Sequence, residues 1–234
     1  MEIIFSKWTE YFLRNNQNLI DIHWDDHYKL TSEEREIITK SIQQFQLGEN
    51  SEGKYLINCA KKYVLETQDQ DYYHALIEFI KEEQRHARDL GRFMRLQEIP
   101  LIRSHWVDNV FRKLRKYAGL ELSIIVLITA EIIAKIYYKA LKESTNSIIL
   151  IDLCNQILND EEKHVRFQSE TLYKLARNKS YIMNQISRQF HRFLFEGTLI
   201  VVWYQHKSVF KAGGYTLLSF YHDCRQVFNS SKRS

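Results

Sequence analysis

The sequence predicts an all-α protein built around a four-helix bundle, and three observations lead to this fold class. The chain has 234 residues with only seven glycines and one proline, so few residues interrupt helices. Apolar residues recur with helical spacing over four long stretches, residues 32–67, 71–96, 120–143 and 147–177. The stretch 95–119 is long enough to carry the chain across a bundle, which predicts two helical hairpins joined by a long crossover between the second and third helices.

Loop-like segments mark the ends of the predicted helices in chain order. The segment ETQDQD at 66–71 closes the first hairpin, and Pro100 separates the second helix from the crossover. The segment ESTNS at 143–147 closes the second hairpin, and RNKS at 177–180 ends the fourth helix. A later break, AGG at 212–214, predicts that the C-terminal part holds two further helices.

The chain is expected to form a single domain, because no Pro-rich or Gly/Ser-rich linker divides it. Residues 1–30 form an N-terminal lead-in, 31–178 the bundle, and 179–234 an aromatic-rich helical extension. We expect extra helices at both ends of the bundle. The extension either packs on the bundle or forms a dimer interface, and both are compatible with its covering an apolar substrate channel.

Composition excludes several classes of protein. A net charge of +4 does not argue for a nucleic-acid partner. The longest nearly uncharged apolar run, 122–130, is too short to span a membrane, and the N-terminal residues do not resemble a signal peptide. Three scattered cysteines, Cys59, Cys154 and Cys224, indicate buried thiols in a reducing compartment. We therefore expect a cytoplasmic protein.

Two of the predicted helices repeat a Glu-x-x-His pair, Glu83 with His86 and Glu161 with His164. Residues three apart share a helix face, so each pair can offer two ligand atoms to one ion. A single pair is no more than this composition produces by chance. The repeated pair needs further support from the other two helices.

That support comes from single glutamates in the other two helices. Glu131 interrupts a very apolar helix 30 residues before Glu161, and Glu52 lies 31 residues before Glu83. Four carboxylates brought together without cations would repel one another strongly, and two divalent ions would relieve this. Glu49 shares a face with Glu52 and stays open as the alternative or additional ligand.

This arrangement resembles the ferritin-like di-iron carboxylate superfamily, which includes bacterioferritin, rubrerythrin, the ribonucleotide reductase small subunit and di-iron oxygenases. The subfamily is unassigned. The resemblance implies two Fe ions, with Mn or a mixed Mn/Fe pair as alternatives, and no catalytic residue beyond the ligands. The predicted metal ligands are Glu52, Glu83, His86, Glu131, Glu161 and His164.

The function expected from this resemblance is that of an O2-dependent di-iron oxidase or oxygenase. Its substrate would be an apolar small molecule or a carrier-bound group. A reductase or ferredoxin-type donor would supply electrons, because the sequence carries no flavin or iron–sulfur signature. The alternative is a ferroxidase or iron-handling protein with no organic substrate. A degenerate bundle that binds no metal, and a homodimer, also stay open.

The remaining candidate residues are expected to be structural. We expect Tyr138 to pack in the core, and Asp160 and Glu162 to point away from the apolar stripe of their helix. The histidines expected at the surface or at an interface are His23, His27, His206 and His222.

Overall fold

The computed structural model describes most of the chain, and these described residues form helices and no strand. The described ranges are 3–50, 53–107, 110, 113, 119–177 and 179–232. The helices are α1 (Ser6–Asn15), α2 (Ser32–Glu49), α3 (Lys54–Thr67), α4 (Gln70–Leu96), α5 (Leu120–Glu143), α6 (Ile148–Ala176), α7 (Tyr181–Ala212) and α8 (Leu217–Ser231).

The helices predicted second, third and fourth correspond to α4, α5 and α6 within about one residue at each end. The prediction of one continuous helix over 32–67 is wrong, since α2 ends at Glu49 and α3 begins at Lys54. Gly53 has a left-handed backbone with φ of 63°, and a Cβ there would lie 2.8 Å from the Ile80 side chain. Glycine therefore suits this position on both counts.

Short polar side chains begin several helices, which explains the loop-like segments of the sequence. Asp69 accepts a hydrogen bond from the third residue of its helix at the start of α4, as Ser147 does for α6 and Ser180 for α7. Thr216 and Ser219 form a capping box at the start of α8. The predicted breaks at 66–71, 143–147, 177–180 and 212–214 are thus confirmed as helix boundaries.

The chain divides into two compact units, each described by itself. The first comprises Met1–Asp25 and Ile42–Ser123. Within it, α1 and α3 both pack on α4. Phe5 contacts Tyr72 with ring centroids 5.0 Å apart, and Phe12 lies 6.3 Å from Phe79. These aromatic contacts hold α1, which precedes the predicted bundle, against the helix that carries Glu83 and His86.

The second unit comprises Asp26–Ser41 and Ile124–Ser234. Within it, α8 packs on both α7 and α6. Phe195 stacks on Phe228 at 4.2 Å, and Phe210 lies 4.4 Å from Phe220. Part of the aromatic extension therefore packs on a predicted bundle helix, which the sequence offered as one of its roles.

A buried carboxylate fastens the start of α2 to the loop between α5 and α6. Glu34 accepts hydrogen bonds from Tyr28 Oη and the Thr31 amide through Oε2, and from Thr145 Oγ1 and the Asn146 amide through Oε1. Burial alone would raise its pKa, but these four donors outweigh burial and lower the pKa to about 2. Glu34 therefore stays ionised and links the start of α2 to the loop between α5 and α6 within the second unit.

Other expectations concern exposure. All three cysteines are buried and form no disulfide, and burial raises the pKa of the Cys154 and Cys224 thiols. His23 and His27 are exposed, as predicted. Among the described residues, we find no helix long and apolar enough to cross a membrane. The single-domain arrangement stays a prediction.

Candidate metal centre

The first unit contains a cluster of two carboxylates and one imidazole. Glu49 is the last residue of α2, and Glu83 and His86 lie one turn apart on α4. His86 Nδ1 lies 4.0 Å from Glu49 Oε2 and 3.6 Å from Glu83 Oε1. One ligand atom from each of these residues lies within 4.8 Å of those from the other two. We call this group the first cluster.

The second unit contains a cluster of the same composition. Glu131 comes from α5, and Glu161 and His164 lie one turn apart on α6. His164 Nδ1 lies 3.2 Å from Glu131 Oε2 and 3.8 Å from Glu161 Oε2. The ligand atoms again lie within 4.8 Å of one another, and all three side chains are buried. We call this group the second cluster.

The structure brings together most of the predicted ligands of each unit. The ligand atoms of Glu83 and His86 lie within 4.8 Å of each other, as do those of Glu131, Glu161 and His164. Glu52 lies outside the described residues. Glu49, which the sequence kept as the alternative, stands in the first cluster.

The donor atoms of each cluster fit a transition-metal ion. Oxygen and nitrogen donors lie about 2.1 Å from such an ion, so donors of one ion are up to about 4.2 Å apart, close to the observed separations. Carboxylates combined with imidazole suit iron or manganese. In both clusters the imidazole turns Nδ1 toward the carboxylates, so the same atom would bind metal in each.

The charge of the clusters also favours a cation. Two carboxylates and at most one imidazolium leave a net negative charge in a mostly buried position. Lys135, one turn after Glu131, is partly buried. Burial lowers the pKa of its ammonium, and the nearby Glu162 and Glu161 oppose that shift. A divalent ion would neutralise the second cluster more completely than this lysine does.

A second buried acid precedes each Glu-x-x-His pair. Asp160 is fully buried and accepts hydrogen bonds from Gln156 Nε2 at 3.0 and 3.1 Å, so the expectation that it points away from the core is wrong. Glu162 is exposed, as expected. Glu82 is likewise buried and accepts a 2.6 Å hydrogen bond from Asn15 Nδ2. The adjacent acidic residues in EEQRH and DEEKH were the sequence feature that could have indicated these two buried acids.

Gln168 is a functional candidate to which the sequence assigned no role. It lies on α6 one turn beyond His164 and is fully buried. Neither amide atom of its side chain hydrogen-bonds to any residue in the described part of the chain. A buried amide without partners is costly, so this position points to a polar group supplied from elsewhere.

His206 is buried, so the expectation that it lies at the surface is wrong. Its Nδ1 lies 2.8 Å from Ser41 Oγ, which also donates to Tyr137 Oη at 3.1 Å. His206 has φ of −120°, a non-helical value that kinks α7. The residue therefore fixes a bend inside the second unit. Tyr138 packs in the core as predicted, and His222 is exposed.

The helices and the clusters point to the class of ferritin-like helical proteins, whose helices present Glu and Glu-x-x-His ligands inward. Among solved structures, the chain is similar to R2-like ligand-binding oxidases, determined as mutants with a reconstituted Mn/Fe cofactor.

One of these oxidase structures has a TM-score of 0.70 at 18% identity, and the match covers 99% of this chain and 93% of that one. A second has a TM-score of 0.65 at 17% identity, again covering 99% and 93%. The likeness confirms the predicted ferritin-like fold. No protein-family model and no curated protein matches the chain.

Proposed function

We propose that each of the two clusters binds one ion of a metal pair, and that the chain is an O2-dependent oxidase or oxygenase with an Fe/Fe or Mn/Fe pair. The observation that carries this proposal is the duplication of one donor set, two carboxylates and an imidazole, in the two units of a ferritin-like chain. The similar oxidases hold an Mn/Fe cofactor, which supports the choice of metals.

The first cluster would hold one ion and the second cluster the other. Glu83 and Glu161, the glutamates of the Glu-x-x-His pairs, would each contribute a carboxylate ligand. The position of Glu49 in the first cluster supports it as the fourth carboxylate ligand, with Glu52 as the alternative. The two cations would offset the charge of the four acids, which lowers the repulsion among them.

The residues of the site perform three tasks. The ligands come from helices, whose packed side chains hold the donor atoms in place before a metal arrives. Burial of His86, Glu131, Glu161 and His164 excludes water and strengthens their interaction with a cation. Gln168 would donate or accept a hydrogen bond with a polar group of the substrate, because its own amide is buried beside the second cluster.

The metal pair, when bound, supplies the electrons that reduce O2 and the oxidising power that acts on an organic substrate. The substrate would be an apolar small molecule or a carrier-bound group with one polar end. An external reductase or ferredoxin-type donor would return the electrons. This assignment is consistent with a cytoplasmic setting and buried thiols.

Metal loading tests the proposal. The chain is loaded anaerobically with Fe(II), or with Mn(II) and Fe(II), and metals are counted after gel filtration. We expect two ions per chain, consumption of O2 on exposure to air, and loss of metal in Glu131→Gln but not in the exposed control Glu162→Gln. Fewer than about one ion per chain, with no effect of Glu131→Gln, would reject the proposal.

Further measurements distinguish Glu49 from Glu52 as the ligand, and an oxidase from an iron-handling protein. Glu49→Gln should lower the metal count and Glu52→Gln should not; the opposite pattern makes Glu52 the ligand. Turnover of Fe(II) and O2 with no organic product from any apolar or carrier-bound substrate would favour the iron-handling alternative. Loss of substrate oxidation in Gln168→Leu, with metals retained, would support its substrate-binding role.

A further inference from the structure

Helix α7 carries a stripe of large apolar side chains that is exposed to solvent. Its five members are Ile182, Ile186, Phe193, Ile200 and Tyr204, whose exposed fractions are 70, 58, 80, 56 and 65%. They share one face, because spacings of 7 and 11 residues are close to whole numbers of helical turns. The stripe is about 33 Å long at 1.5 Å per residue and ends before the kink at His206.

The spacing of the stripe is symmetric about Phe193. Two members lie 11 and 7 residues before Phe193, and two lie 7 and 11 residues after it. A second copy of the helix laid antiparallel would therefore place Ile186 against Ile200 of the second copy, and Ile182 against Tyr204. Phe193 would meet its own counterpart. A surface that is complementary to itself under a two-fold rotation is what a symmetric dimer requires.

Two other features of α7 suit close pairing. A Cβ added at Gly197, next to the stripe, would meet nothing within 4 Å, so a partner helix finds space there. The exposed arginines Arg188 and Arg192 lie off the stripe, so pairing does not bury them against each other. The helical spacing places both of them on other faces of α7.

The exposed area matches what a stable dimer needs. With about 200 Å² for a large side chain, the five members and their neighbours Met183 and Phe190 present an apolar surface of roughly 800 Å². A standard stable interface buries about this area on each partner, and it exceeds the largest apolar patch of most monomers.

We propose that this stripe is the interface of a homodimer, in which α7 pairs antiparallel with α7 of a second copy around a two-fold axis at Phe193. The proposal does not depend on metal binding. It concerns only the second unit, in which α7 lies entirely.

Sedimentation equilibrium of the full chain tests the proposal. We expect a dimer at micromolar concentration. Phe193→Glu places two like charges at the axis and should raise the dimer dissociation constant at least 100-fold, with an unchanged helical circular dichroism spectrum. Leu218→Glu, at a residue that is 81% exposed but lies on α8, should remain dimeric. A wild-type monomer at 100 μM, or equal effects of both variants, would overturn the proposal.

Cysteine substitutions test the register. Phe193→Cys should form a disulfide between chains under mild oxidation, and Leu218→Cys should not. Absence of the Phe193→Cys crosslink in a dimeric protein would reject the antiparallel pairing. A monomer that instead sediments with phosphatidylcholine–phosphatidylserine vesicles, and loses this in Phe193→Glu, would assign the stripe to a membrane surface and refute the dimer.

Discussion

The stability of the metal-free protein should rise when Glu131 is replaced by Gln. Glu131 and Glu161 offer oxygens within 4.8 Å of each other, and at an effective dielectric constant of about 20 two such charges repel by about 3.5 kcal/mol. His164 Nδ1 lies 3.2 Å from Glu131; an imidazole that binds metal is neutral, so the variant loses at most about 1.5 kcal/mol of hydrogen bonding with it. We therefore expect a net gain of about 1–2 kcal/mol, as replacing buried charges often gives.

The assay compares unfolding of the chelated proteins at pH 7.5, by urea and by heat. A gain of about 1–2 kcal/mol should raise the Tm by roughly 2–8 °C in a chain of this length. Adding Mn(II) or Fe(II) should then stabilise the wild type and leave Glu131→Gln unchanged. Glu162→Gln, at an adjacent exposed residue of α6, should behave as the wild type in both conditions.

The opposite sign would refute this reasoning. If Glu131→Gln destabilises the metal-free protein by more than about 1 kcal/mol, and metal ions stabilise neither form, the second cluster is an ordinary ion pair that supports the fold. A functional site and a structural ion pair thus differ in the sign of one measurable free energy.

Three further outcomes follow from contacts in the second unit. Glu34→Gln should lower the free energy of unfolding by about 2–3 kcal/mol at pH 7, because the folded protein holds the pKa of this carboxyl near 2 rather than 4.5. This stabilisation is complete above a pH of about 4.5 and is lost as the pH falls through about 2. The urea unfolding curves of the two proteins should therefore converge in acid. Gly213→Ala should lower the free energy of unfolding by about 2 kcal/mol in the same assay, because its Cβ would lie 2.5 Å from the Ala140 backbone. An unchanged free energy of unfolding would contradict this close approach. Ser41→Ala should cost about 1 kcal/mol through its hydrogen bond to His206, and an unchanged unfolding curve would argue against that bond.

The fold was largely predictable because helical periodicity dominates this sequence. Apolar residues recur with helical spacing along α4, α5 and α6, so both the helices and their ends could be predicted. The break between α2 and α3 was missed because apolar positions keep the same phase on both sides of it. The left-handed backbone at Gly53, where a Cβ would lie 2.8 Å from Ile80, precedes α3, and helical periodicity does not predict such a backbone.

The candidate site was predictable where it depends on local spacing. A separation of three residues on a helix fixes the pairing of Glu83 with His86 and of Glu161 with His164. Asp160 was misplaced because a helix packed on several sides buries a wider arc than one apolar stripe. His206 lies on the buried face of α7 with Val202 and Val209. Its burial was not predicted because histidine is a polar residue.

The central claim is that the two clusters hold one metal pair, and electron paramagnetic resonance of the Mn(II)-loaded chain tests it most directly. At two Mn(II) per chain we predict the spectrum of an exchange-coupled pair, which arises only when the two ions interact. Glu131→Gln should abolish this spectrum, and Glu162→Gln should retain it. The six-line spectrum of isolated Mn(II) ions at full loading would contradict the account.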